Sequence, residues 1–493
     1  MKTKIYYNDL KLNNLILLIL ILAAFACNQV PDSVEKLNII PKIFPDYTNV
    51  TIPANIAPLN FTMDSCDFIK AVFTGKGNEF EVDGKNNIVI PDSKWANLLK
   101  NSKEDSLQVI ITVKKNGKWI QYLPFSIYVS IDEMDDYLVY RRIAPGYQKW
   151  SKMGLYQRNL TNFDESAIVN SDMLPGTCMN CHSFANNDPN TMQMHFRMEN
   201  SGTILIREGK IEKLNTKTDQ TISNCVYPYW HPSGKFISYS VDKTAQMFHS
   251  QSDKRIDVFD SESDIVVYDI DQNELFTNPA IATKENFEVA QSFSADGKKL
   301  FFCSAKARKM PDEFDQVKYS LCMIDFDADS AKISGSVDTL ISAYTTGKSV
   351  SFPRMSPNGK FLLFSMADYG YFQIWHKESD LYLMNISDRK YFPLTGLNSP
   401  EADSYHSWSS NSKWIVTASR RIDGLYSHPF ISHVDESGKT TKAFVIPQKS
   451  PTFYYDFMYS FNVPEFVKGS VTTDKYEVEK VLKSKGKQVN FRN

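Results

Sequence analysis

The C-terminal half of this chain repeats one short phrase four times. It reads Tyr229-Trp230-His231-Pro232-Ser233-Gly234-Lys235 before an apolar run at 236–239, and Ser292-Phe293-Ser294-Ala295-Asp296-Gly297-Lys298 before a run at 299–302. A third copy is Arg354-Met355-Ser356-Pro357-Asn358-Gly359-Lys360, and a degenerate fourth is Ser407-Trp408-Ser409-Ser410-Asn411-Ser412-Lys413, each again followed by apolar residues. Every copy is a polar turn, with Gly or Asn able to take φ > 0, that feeds a strand. One such unit exposes an apolar face that only a neighbouring unit can cover, so the copies must stack on one another. They stand about 50 to 63 residues apart, which leaves room for four short strands each.

Strands with a D-[IL]-[VY] beginning, Asp264-Ile265-Val266 and Asp380-Leu381-Tyr382, fall between the copies. Aromatic residues make up 13% of the chain, with 25 Tyr and 32 Phe, the bias of a protein built from many short strands. The W-S-P-D-G-K-like box resembles the repeat of TolB-type, WD40-like propellers. The resemblance implies a five- or six-bladed β-propeller over residues 195–450, whose channel mouths bind partners. Residues 451–493 are expected to be a C-terminal tail with one short helix near 476–483.

At the other end, lysines at 2, 4 and 11 precede a twelve-residue apolar run at 15–26, too short for a permanent membrane span. The run ends Ala24-Phe25-Ala26-Cys27, which resembles a bacterial lipobox. Residues 1–27 are then a lipoprotein signal peptide with Cys27 as the lipidated residue, or an ordinary cleaved signal, and 28–47 a polar tether. The expectation is an exported protein of the cell envelope, lipid-anchored, facing the periplasm, at the outer membrane. The lipid is its only membrane contact. Basic and acidic residues nearly balance, 55 against 57, with no basic stripe, which excludes nucleic acid as a partner.

Residues 48–130 alternate short apolar runs with turns such as Asp83-Gly84-Lys85-Asn86-Asn87, which predicts an immunoglobulin-like β-sandwich. The whole chain thus reads as mainly β. Residues 131–194 change character, with Tyr and Arg interleaved, and are expected to form a short α/irregular segment, including a helix near 148–157.

That segment carries Cys178-Met179-Asn180-Cys181-His182. A C-x-x-C-H spacing lets both thiols add to the vinyl groups of one haem, and lets the following His ligate its iron. On this reading the cofactor is a single haem c, Cys178 and Cys181 are the thioether sites and His182 is the proximal ligand. Met194 or His195 would be the distal ligand, with Met192, Met198, His231 and His249 as alternatives. The bland readings are a Cys178–Cys181 disulfide, buried thiols and core-filling methionines. Cys66, Cys225, Cys303 and Cys322 are scattered singly.

The combination of lipobox, sandwich, Asn-Cys-His-Ser-Phe motif and propeller resembles exported proteins of the Bacteroidetes type, labelled TolB-like or cytochrome c-biosynthesis-associated. It implies electron transfer or redox sensing, with an envelope or redox protein docked on the propeller. The alternative is a non-redox TolB-like scaffold for envelope proteins or a ligand, with Cys178 and Cys181 as a disulfide. Neither G-x-S-x-G nor H-E-x-x-H occurs, and Asp403, His406 and Ser407 read as turn polars, so a carrier or scaffold is expected rather than an enzyme.

Overall fold

The structure, a computed structural model, describes residues 30–31, 33–145, 152–250 and 255–492. Residues 1–27, and with them Cys27, lie outside the described residues. The chain divides into two compact units: Met1–Asn49, Pro58–Val129 and Gln448–Tyr454 form one, and Val50–Ala57, Ser130–Pro447 and Tyr455–Asn493 form the other.

The smaller unit is built on a sheet in the order Glu35–Lys36, Lys118–Gln121, Asp105–Lys115, Phe68–Gly75, Asn78–Gly84. Phe125–Ser130 also pairs with Asp105–Lys115. Alternation buries Ile69, Ala71 and Phe73 on one strand and Leu107, Val109, Ile111 and Val113 on the next, so one face is apolar. The helix Asp92–Asn101 brings Trp95, Leu98 and Leu99 to this face at helical spacing, with Trp95 edge-on to Phe73.

The larger unit is a six-bladed β-propeller. Blade two is Thr177–Phe184, Met192–Met198, Gly202–Arg207 and Lys210–Asn215. Blade three is Val226–Trp230, Phe236–Phe248, Ile256–Asp269 and Glu274–Phe276. Blade four is Asn286–Phe293, Lys299–Lys306, Ser320–Asp327 and Lys332–Ile341. Blade five is Ser349–Met355, Phe361–Ala367, Asp380–Asn385 and Tyr391–Pro393, and blade six is Asp403–Trp408, Trp414–Ser419, His428–His433 and Phe444–Val445. Blade one is composite: Tyr137–Ile143, Gly154–Asn159 and Glu165–Asn170 are joined by Ser460–Val467 from the far end of the chain, which takes the innermost place. The inner strands touch in a closed ring.

Two sequence expectations are corrected here. Residues 131–194 are not an α/irregular segment; they supply three strands of blade one and the inner strand and start of the second strand of blade two. Of the helix expected near 148–157, residues 148–151 lie outside the described residues and 154–157 are strand, with Leu155 packed with Val139 and Val169 in the blade-one core. Residues 451–493 contain the short helix expected near 476–483, at Lys475–Leu482, which buries Val478 and Leu482 in the core between blades one and two, and they also supply the inner strand of blade one. Lys487–Gln488 and Asn490–Phe491 then add parallel edge strands to blades two and three.

The repeated box is a hydrogen-bonded turn. In blade four the Ser294 hydroxyl donates to Asp296 at 2.6 Å and accepts the Lys299 N–H at 3.0 Å. Ser356 with Asn358 and Phe361, and Ser409 with Asn411 and Trp414, repeat both bonds. The left-handed residue each turn needs is Gly234, Gly297 or Gly359, and Ser412 in the degenerate copy.

Candidate functional site

Each inner strand contains one non-glycine residue with φ between 47° and 55°: Val463, Cys181, Tyr227, Ala290, Phe352 and Tyr405 in blades one to six. The pairing register shifts at each of these positions, so they are β-bulges in equivalent places. The bulges re-aim side chains into the channel. Tyr227 and Phe352 belong to blades three and five, yet their rings lie 6.2 Å apart, and Phe352 lies 4.9 Å from Tyr405 of blade six. These rings fill the channel at mid-depth.

Aligning the strands on the bulge exposes a second repeat. The residue after it is Pro464, His182, Pro228, Gln291, Pro353 or His406 in blades one to six, and two residues further on comes Phe466, Phe184, Trp230, Phe293, Met355 or Trp408. His-Ser-Phe at 182–184 is therefore the blade-two counterpart of His-Ser-Trp at 406–408. Blades four and six use the side chain after the bulge to grip the preceding blade. Gln291 donates to the Tyr227 carbonyl, and His406 Nε2 to the Phe352 carbonyl at 2.7 Å. The odd blades carry Pro at this position and have no side-chain donor to offer.

This geometry tests the haem reading. A c-type haem needs both thiols and the imidazole to converge on one macrocycle. Here Cys178, Cys181 and His182 lie on an extended strand interrupted by the bulge. Cys178 Sγ packs 3.9 Å from Met153 Sδ of blade one, whereas Cys181 is buried within reach of the Tyr227 backbone of blade three. Burial, then the neighbouring Arg141 charge, pushes the His182 pKa down to about 3, so the ring is neutral. Its Nε2 is buried without a partner, the one feature that suits an iron ligand. His406, with no cysteine in its strand, also has one orphaned ring nitrogen, Nδ1, so an unpartnered nitrogen at this position does not by itself mark an iron ligand. In this arrangement the two thiols pack on different neighbouring blades. Cys178 and Cys181 are free thiols and form no disulfide.

The distal candidates are no better placed. Met192 and Met194 face the core between blades one and two, while alternation turns His195 to the other face, where Nδ1 meets Thr203 Oγ1 at 3.0 Å. Burial pushes the His195 pKa down to about 3. Met198 is exposed. His231 is a box residue bonded to Ser233 and to the Gly297 carbonyl, and His249 pairs with Asp257 at 2.6 Å. Asp403, His406 and Ser407 each bond elsewhere, to Arg421, the Phe352 carbonyl and the Pro464 carbonyl, and form no triad. Cys303 and Cys322 sit one register step apart on paired strands and face opposite sides.

The channel opens on the side of the box turns. Between the bulge-following residue and the aromatic or Met position lies Glu465, Ser183, Tyr229, Ser292, Arg354 or Ser407 in blades one to six. Five of these six, all but Ser292, line a cavity of about 210 Å³ at this mouth, with Lys468 at its rim. The Arg354 guanidinium stacks over Tyr229 at 4.9 Å. Glu465 Oε2 accepts the Phe184 N–H at 3.1 Å. Burial pushes the Glu465 pKa up to about 8, against the pull of Arg354 and that N–H. Sequence reading missed Arg354 and Glu465; the strand alignment that finds them depends on the bulge, which no sequence pattern marks.

No protein-family model matches the chain, and no curated protein matches it. Among solved structures it is similar to prolyl oligopeptidase B from Galerina marginata, at 12% identity and a TM-score of 0.37, over 69% of this chain and 43% of that one. It is also similar to a DUF4784 family protein from Bacteroides caccae, at 8% identity and a TM-score of 0.30, over 73% of this chain and 97% of that one. A GH43 endo-arabinanase from Bacillus licheniformis is similar at 11% identity and a TM-score of 0.30, over 52% and 97%. The chain spans under half the length of the prolyl oligopeptidase to which it is similar.

Proposed function

We propose that this chain is an exported, non-redox binding scaffold. It is a lipid-anchored envelope propeller of the TolB-like kind, with its N-terminal strands as an immunoglobulin-like spacer, and it captures a ligand or partner at the box-side mouth of its channel. The observation that carries this reading is the mouth itself: an open polar cavity backed by a channel that Tyr227, Phe352 and Tyr405 fill. A closed floor and an open rim make a receptacle rather than a passage.

Electron transfer through haem is the rival, and one experiment separates the two. The chain is expressed with a periplasmic c-haem maturation system, extracted with acid–acetone, and examined as its reduced pyridine adduct. The expected result is folded protein with no haem retained on the chain. A thioether-type band that survives extraction, and is lost when Cys178 and Cys181 are both replaced by Ala, would overturn the non-redox reading.

A further inference from the structure

We propose that the box-side mouth binds a carboxylate, which the Arg354 guanidinium takes between aromatic walls. This rests on the reading of the mouth as a ligand site and names the chemistry of its ligand.

Arg354 uses only Nη1 within the protein, donating to the Pro353 carbonyl at 2.9 Å and the Gln291 carbonyl at 3.5 Å. Its Nε and Nη2 make no hydrogen bond with the described residues, and no carboxylate among them forms an ion pair with it. A half-buried guanidinium with an unused N–H pair presents the planar fork that a carboxylate fits with two parallel bonds. Its stacking on Tyr229 holds that fork in place.

The charge of the cavity selects an anion. The titratable groups lining it are Arg354, Glu465, Lys468 and the Tyr229 phenol. Glu465 is the only acid among them, and its burial keeps it protonated through neutral pH. In that form it donates a hydrogen bond toward a bound oxygen instead of competing for Arg354. The charges that remain, Arg354 and Lys468, are positive, and the planar fork of Arg354 sets where a carboxylate sits. The volume, about 210 Å³, suits a small acid or the end of a longer one. Trp230, Phe293 and Trp408 line the same cavity, so the group beside the carboxylate is apolar or aromatic.

The test is titration calorimetry at pH 6.5 on the full mature chain, with tryptophan emission recorded in parallel to report on Trp230 and Trp408. The probes are phenylacetate, benzyl alcohol as its neutral counterpart, inorganic phosphate, and a tetrapeptide ending in Phe with a free or an amidated C-terminus. Phenylacetate or the free-acid peptide should bind, whichever is tighter identifying a small acid or a chain terminus as the source. Arg354→Gln should weaken that binding at least tenfold. Glu465→Gln should keep it and extend it to pH 9, where the parent loses it. If benzyl alcohol or phosphate binds as tightly as phenylacetate, the mouth is a ligand site and the carboxylate assignment is wrong. If no probe binds or perturbs the tryptophans, both readings fall. Unchanged binding by a folded Arg354→Gln also overturns the assignment, and Glu465→Gln, which preserves shape and removes the charge, decides the case should Arg354→Gln not fold.

Discussion

The imidazole Nε2 of His406 meets the carbonyl of Phe352 at 2.7 Å across the seam between blade six and blade five. The same grip recurs between Gln291 of blade four and Tyr227 of blade three, each time from an even blade to the odd blade before it. The side chain after the bulge has a mechanical task at these two seams.

If the task is mechanical, glutamine should perform it, as Gln291 does in blade four. His406→Gln should cost less than about 1 kcal/mol, whereas His406→Ala leaves the buried Phe352 carbonyl without its donor and should cost about 1–3 kcal/mol. Urea unfolding of the two variants measures both. Equal losses would remove the clamp.

The histidine at the equivalent place in blade two sets a pH dependence. Burial holds the folded His182 pKa at about 3, below the ~6.5 of an unfolded chain. Its contribution is present above about pH 6.5 and is lost as the pH falls toward 3, because the unfolded chain takes up the proton first. The stability of His182→Gln relative to the parent should rise between pH 7 and pH 4. A difference that stays constant over that range would show a solvated ring.

Glu465 runs the other way. Its folded pKa, about 8, lies above the ~4.3 of an unfolded glutamate, so its contribution is present at low pH and is lost as the pH rises through 8. Glu465→Gln should gain in thermal midpoint over the parent as the pH goes from 5 to 8. Parallel melting curves at the two pH values would contradict the buried, protonated carboxyl.

Gly234 and Gly297 occupy the same left-handed turn position in neighbouring blades, at φ 70° and 73°. A methyl group on Gly234 meets open space, whereas one on Gly297 runs into the His231 imidazole. Gly234→Ala should cost about 1–2 kcal/mol for the backbone alone. Gly297→Ala should cost more than that and should disturb the bond from His231 to the Gly297 carbonyl. Denaturation midpoints of the pair give the comparison directly.

The four boxes were legible because a left-handed turn demands Gly or a close substitute, and Ser-x-Asp or Ser-x-Asn closes three of them while His231-Pro232-Ser233 closes the first. Blades one and two escaped notice because Phe466-Val467-Lys468 and Phe184-Ala185-Asn186 lack that closure. The Cys-x-x-Cys-His spacing suggested haem for a sound chemical reason, but thiol spacing says nothing about whether the backbone between the thiols is a helix turn or a bulged strand. Only the pairing of Cys178 with Arg197 and Asn180 with His195 settles which side chains share a face. The partnership of Ser460–Val467 with Tyr137–Ile143 lies beyond any local pattern.

That partnership also orders events in time. Phe184 and Glu465, which bond across the seam, are 281 residues apart, so during synthesis at ~5–20 residues per second blade two waits tens of seconds for its neighbour. Through that interval the thiols of Cys178 and Cys181 have no closed ring around them. Any chaperone, oxidant or modifying enzyme that acts on these cysteines has its opportunity on the nascent chain, before the last strand arrives and shuts them in.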